Sequence, residues 1–131
     1  AEEPDFFAPA MLQDGTYFGV WQNGRLAAAA GTHLVAPSEG VAAIGNVYTR
    51  RDCRGRGLGR AVVAAVTREL QVRGLDPIIL NVRQSNAPAL HLYESLGFRR
   101  YCPFYEGIAQ LPPFNSRPGE RTPWGLDPEG R

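Results

Sequence analysis

The chain has 131 residues, 44% of them hydrophobic and 21% charged, with a formal net charge of +1. That length suits one domain with one core, and no apolar run nears the ~20 residues of a membrane span. A net charge this small argues against a general nucleic-acid-binding surface, yet all 14 basic residues are arginine, and Arg50, Arg51, Arg54, Arg56 and Arg60 crowd into one short stretch.

The opening AEEPDFFAPAML has neither the basic-then-apolar layout of a signal peptide nor an initiator Met, and reads as the start of a processed or excised piece. Within it, residues 4–12 suit a short helix ending near Asp14 and Gly15. TYFGVWQ follows as a strand, and Asn23-Gly24 is a strong hairpin signal. RLAAAAGTHLVA would suit a helix by its alanines alone, but the hairpin turn and the β-branched flanks agree on a returning strand. Pro37 to Gly40 form the next turn, and VAAIGNVYT the third strand of an antiparallel meander. Cys53 and Cys102 lie far apart and fit neither a metal spacing nor a disulfide framework, which points to a reducing, cytoplasmic setting.

From Leu58 onward, Leu58, Ala61, Val62, Ala65, Val66 and Leu70 mark the stripe of an amphipathic helix, with Gly74 as its cap. Pro77 to Val82, PIILNV, is the continuous apolar run of a strand buried on both faces, and strand, helix, strand implies a right-handed parallel crossover. Asn86 can cap a second helix with Pro88 in its first turn and Ala89, Leu92, Tyr93 and Leu96 as its stripe, closed by Gly97. FRRYCPFYEGIA reads as a final strand. Leu111 to Arg131 is rich in proline and glycine without periodicity, as in a draped or disordered tail. The expected fold is α/β: a mixed central sheet with an N-terminal antiparallel meander, one parallel β-α-β crossover, a second helix and a final strand. It occupies a domain at 1–110, followed by a tail at 111–131.

The junction RGRGLGRA, Arg54 to Ala61, carries the chemistry. A loop leading from a strand into a helix points several N–H groups one way and adds the positive end of the helix dipole, which makes an anion site suited to phosphate. Glycines let the phosphate approach the backbone, and arginines supply bidentate donors. A P-loop would need G-x-x-x-x-G-K-[ST], and the chain has no lysine. A dinucleotide fingerprint would need glycine at 60 or 62, where Arg60 and Val62 stand.

The stretch does match R-x-x-G-x-G, from Arg54 to Gly59, and Leu80 to Tyr101, LNVRQSNAPALHLYESLGFRRY, supplies a strand, Asn86, a helix with Tyr93 and then LGF. On these residues the chain resembles the GNAT superfamily of N-acetyltransferases, which use acetyl-CoA. The resemblance is most specific from about Val41 to Tyr105 and extends more weakly to about Gly15. GNVYTRRDCRGRGLG and RRYCPFYEG look like a bacterial subgroup of mostly uncharacterised members. A complete GNAT domain opens with a strand and two helices that help form the acceptor groove, for which this chain has little room before Thr16. The resemblance therefore implies an N-terminally incomplete GNAT fold, its groove completed by a missing segment or by a second copy in a homodimer.

It also implies roles. Val47, Tyr48 and Thr49 would pair their backbone with the pantetheine arm; Arg54, Gly55, Arg56, Gly57, Leu58, Gly59 and Arg60 would hold the pyrophosphate; Asn86, an N-cap by its own sequence, would contact the arm. Arg50 and Arg51 would reach either the adenosine phosphate or only solvent. Tyr93, a core aromatic by periodicity, would protonate the departing thiolate. The carboxylate that serves several members as general base falls near Ala43 here, leaving His33 and Glu39 as the titratable candidates. The implied activity is acetyl transfer from acetyl-CoA to a small-molecule or peptide amine by direct attack in a ternary complex, with no nucleic-acid or membrane partner. Its rivals are a non-catalytic acyl-CoA binding module and nucleic-acid binding through the arginines.

Overall fold

The computed structural model describes residues 8–105. They comprise a compact unit running to Arg100 and the beginning of a second one at Tyr101, of which residues 101–105 carry neither helix nor strand. The predicted boundary at residue 110 and the tail beyond it lie outside the described residues.

A four-residue helix, α1 (Met11–Asp14), precedes strands β1 (Tyr17–Gln22), β2 (Arg25–Ala36) and β3 (Val41–Thr49). A 3-10 turn, Arg51–Cys53, leads to α2 (Leu58–Val72), β4 (Ile78–Leu80) and α3 (Ala87–Ser95). The sheet order is β1-β2-β3-β4, antiparallel through β3 and parallel between β3 and β4. The expected mixed α/β architecture is thus present. Asn23 and Gly24 both take positive φ (51° and 71°), the geometry of a tight hairpin turn that matches strand twist.

The alanine run of β2 is strand, and its small side chains let α2 approach closely: Ala28 and Ala30 are sealed beneath Val62, Val63, Val66 and Leu70 in one cluster. Leu75 joins it because α2 ends in a Schellman turn, with Leu75 N–H on the Leu70 carbonyl and Gly74 N–H on that of Gln71, Gly74 having φ +77°.

Two expectations need correction. Among the described residues Pro77–Val82 pairs only over Ile78–Leu80, and Ile79 is 53% exposed, because Ile78 and Leu80 face the core and Ile79 alternates to the opposite face of the sheet. Phe98 to Tyr105 form no strand; the rest of that predicted element, to residue 109, and the first part of the predicted helix at 4–12 lie outside the described residues.

Candidate active site

Beyond Thr49 the chain makes the 3-10 turn and enters the glycine loop. Gly55 and Gly57 have φ +74° and +76°, and a Cβ on either would meet nothing within 4 Å, so backbone conformation, not space, demands glycine there. Gly59 is different: its Cβ would stand 3.0 Å from Thr49 Oγ1 and 3.3 Å from Leu92 Cδ1, so this glycine draws α2 against the end of β3 and against α3. Among the described residues, no backbone N–H from Gly55 to Arg60 reaches a protein acceptor; the first to do so is Ala61, bonded to the Gly57 carbonyl. A row of unclaimed donors at the positive end of a 15-residue helix is an anion cradle built from main chain.

The sheet opens beside it. β3 and β4 pair at Ala42–Ile78, Ala43–Ile79 and Ile44–Leu80 and no further, so from Gly45 to Thr49 the β4-side edge of β3 is unpaired by any described strand. Val47, Tyr48 and Thr49 lie on that edge, leading to the cradle. An extended ligand could add there as a strand does, with its anionic end on the loop.

Tyr93 is buried to 9% exposure in the core cluster and meets Phe98 edge-on, ring centroids 6.2 Å apart. Among the described residues its hydroxyl has no hydrogen-bond partner, and no described side-chain polar atom is both sealed and unpartnered, so the hydroxyl opens to solvent from a buried ring. Burial raises the phenol above its ordinary pKa, which keeps the proton in place at neutral pH. Asn86 caps α3 through Oδ1, which accepts from Ala89 N–H at 3.3 Å, so its NH2 end is left for a ligand.

The arginines are less available than their number suggests. Arg50 grips Asp52 through two bonds, 2.6 and 3.0 Å, and reaches the Leu26 carbonyl, which ties it to the turn. Arg54 Nε donates to the Thr49 carbonyl, and Arg60 Nε to Ser95 Oγ. Arg56 is exposed, and its side chain makes no hydrogen bond or ion pair among the described residues.

His33 sits at an irregularity. Thr32 pairs with Ile44 and Leu34 with Ala43, so His33 is an extra residue on β2. A few residues away β3 carries its own: between Gly31–Gly45 and Ala29–Tyr48 it has Asn46 and Val47 against Ala30 alone, and Asn46 takes φ +53°. The bulges bring His33 Nε2 to 3.2 Å from Asn46 Oδ1, while Asn46 Nδ2 donates to Tyr17 Oη at 2.9 Å. His33 also lines an open cleft of about 290 Å³ between α1 and β2, with Met11, Gly15, Thr32 and Val35. Glu39 lies in the turn that starts β3, at the strand end opposite the glycine loop, bonded to Ser38.

Asn46 and Tyr17 were not singled out from sequence. The signal was present in GN within a strand, since asparagine is depleted in strands and an interior glycine often marks a bulge.

A family model described as the acetyltransferase (GNAT) family matches residues 1–98. The ribosomal protein bS18-alanine N-acetyltransferase of Escherichia coli K12 is 41% identical over 96 residues, which are 69% of this chain and 63% of that protein. Mycothiol acetyltransferase of Thermobispora bispora is 45% identical over 74 residues, 53% of this chain and 25% of that one. The crystal structure of the E. coli ribosomal-protein-S18-alanine N-acetyltransferase superimposes with a TM-score of 0.61 at 35% identity, covering 73% of this chain and 63% of that one. The chain thus spans less than two thirds of the length of these relatives.

Proposed function

The chain belongs to the GNAT acetyltransferase family, and on that premise we propose that it transfers an acetyl group from acetyl-CoA to a primary amine by direct attack in a ternary complex. The observation that carries this reading is the pairing of six unclaimed N–H groups, Gly55 to Arg60, with the unpaired β3 edge at Val47 to Thr49. Together they suit a ligand with a diphosphate at one end and a strand-like amide arm at the other. When bound, acetyl-CoA supplies an activated acyl group and a thiolate leaving group.

The protein's share is orientation and proton handling. The loop N–H groups, with Arg56 beside them, hold the diphosphate; the β3 backbone and the Asn86 NH2 end align the arm; the Tyr93 hydroxyl gives its proton to the departing sulfur. His33, in the wall of the α1–β2 cleft, accepts the proton of the attacking amine. The acceptor class is a primary amine, and the relatives named for an alanine of ribosomal protein bS18 make a peptide α-amine the first acceptor to try. The free thiols Cys53 and Cys102 suit a cytoplasmic enzyme.

A thiol-release screen of small amines and alanine-terminated peptides with acetyl-CoA tests the reading. Release of CoA with acetylated amine is expected. CoA binding without acetylation of any amine would favour an acyl-CoA binding module.

A further inference from the structure

We infer that Thr32, Tyr17 and Asn46 hold the His33 ring in the tautomer protonated at Nε2, leaving Nδ1 as the lone-pair acceptor for an amine proton. The use of Nδ1 rests on the acetyl-transfer reading; the tautomer does not. The assignment starts from a group with no choice. A backbone carbonyl can only accept, so Tyr17 Oη, 3.1 Å from the Thr32 oxygen, must donate its proton there. The Tyr17 oxygen then accepts, and the end of Asn46 that lies 2.9 Å from it must be the NH2. The other proton of that NH2 faces Met11 Sδ at 3.9 Å, a weak acceptor that fits the same orientation. The amide oxygen is thereby turned to His33, 3.2 Å from Nε2, and since it too can only accept, Nε2 carries the hydrogen.

Independent geometry shows that the cluster is built. Three glycines without positive φ are needed for space around these rings. A Cβ on Gly31 would overlap Tyr17 Cδ1 and Cε1, and one on Gly15 would stand 2.7 Å from Tyr17 Cε2 and 2.9 Å from Thr32 Oγ1. A Cβ on Gly45 would overlap His33 Cδ2 and stand 2.5 Å from Cγ and Nε2, so the ring lies over Gly45 by that edge, with Nδ1 and Cε1 on the far side. Asn46 itself holds φ +53°, a conformation that asparagine tolerates better than most residues and that persists where the surroundings require it. Tyr17 and Asn46 are thus positioning residues that act through His33.

The chain has two histidines, and exposed His91 on α3 serves as the unconstrained reference. Nitrogen-15 spectra of the neutral rings should show His33 protonated at Nε2 more completely than His91. Tyr17→Phe and Asn46→Ala should bring His33 to the His91 distribution, whereas Asn46→Asp, whose carboxylate only accepts, should keep the lock. For an amine that the enzyme acetylates, Asn46→Ala should lower kcat/KM roughly tenfold with CoA affinity unchanged, and Asn46→Asp should restore most of it. A His33 ring distributed like His91 in the wild type, a lock that survives Asn46→Ala, or an unaltered kcat/KM in that variant would overturn the proposal. A locked ring in a protein that acetylates no amine would sink the acetyl-transfer reading and leave the tautomer standing.

Discussion

The glycine loop and the bulge cluster are built in opposite ways. Gly55 to Arg60 offers main-chain donors from one uninterrupted stretch, and its first two glycines, Gly55 and Gly57, are there for their φ angles, with nothing within 4 Å of a would-be Cβ. Tyr17, Thr32, His33 and Asn46 come from three strands, meet through side chains, and depend on glycines that make room for rings. Main-chain chemistry at a strand-to-helix junction survives most side-chain changes but not a change of backbone conformation. Side-chain chemistry across strands survives only while register holds.

The largest effect should come from the main-chain half. If the loop holds the diphosphate, CoA at about 100 times its dissociation constant should stabilise the fold by ~2.7 kcal/mol through binding the native state alone. Gly57→Glu should abolish that gain by adding a like charge at the anion seat, and its forced positive φ should lower the stability of the unliganded protein by a further ~1–2 kcal/mol. Gly57→Asn, which tolerates that φ and adds no charge, should keep much of the CoA shift. Thermal melts with and without CoA read both, and an intact shift in Gly57→Glu would place CoA elsewhere.

Tyr93 shares features of both constructions, a side chain on a helix whose proposed role needs only its hydroxyl. Tyr93→Phe keeps the buried ring and its edge contact with Phe98, so stability and CoA affinity should hold while turnover falls by ~10². Wild-type turnover in that variant would reduce Tyr93 to a packing residue.

This contrast also explains what the sequence could disclose. The first three strands, the Asn23-Gly24 hairpin, the capping by Asn86 and the loop at Arg54 to Gly59 are local properties, written in consecutive residues, whereas the strand expected from Phe98 is absent through Tyr105. His33 could be named as titratable but not placed, because one extra residue on β2 and another on β3 decide what it faces, and a one-residue slip turns every later side chain to the other side of the sheet. The arginine cluster was legible as a run of charge but its contacts were not, for a related reason. Five like charges in sequence look like one patch, yet Arg50 folds onto Asp52, Arg54 onto Thr49 and Arg60 onto Ser95.

Glycine-to-alanine changes separate the two constructions at smaller cost. Gly45→Ala should destabilise by ~1–3 kcal/mol, the range for forcing extra volume into a packed contact, because the new methyl overlaps the His33 ring. His33→Ala in the same molecule should recover most of the loss, a strongly non-additive pair in urea melts. Gly57→Ala should lose stability through φ alone, and no neighbouring truncation should restore it. Additive behaviour of Gly45→Ala with His33→Ala would mean that the ring does not lie over Gly45.

The smallest effect belongs to the approach to the loop, where a side-chain pair fixes a main-chain turn. The Arg50 guanidinium, hydrogen-bonded to Asp52, holds that carboxyl below its ordinary 3.8. The unfolded chain therefore binds the proton first as pH falls, so the pair's contribution is complete above the ordinary value and disappears as pH drops through the lowered one. Asp52→Asn should make the acid-side decline of stability, followed by urea melts between about pH 5 and pH 2, slightly shallower. The change should be small and should fade in high salt, since the Asp52 side chain is 66% exposed. At neutral pH the variant should bind CoA as the wild type does, because Arg50 spends its donors on the turn rather than on a ligand. A marked loss of CoA affinity in Asp52→Asn would instead tie the cradle's geometry to this ion pair, and the loop would no longer count as chemistry carried by main chain alone.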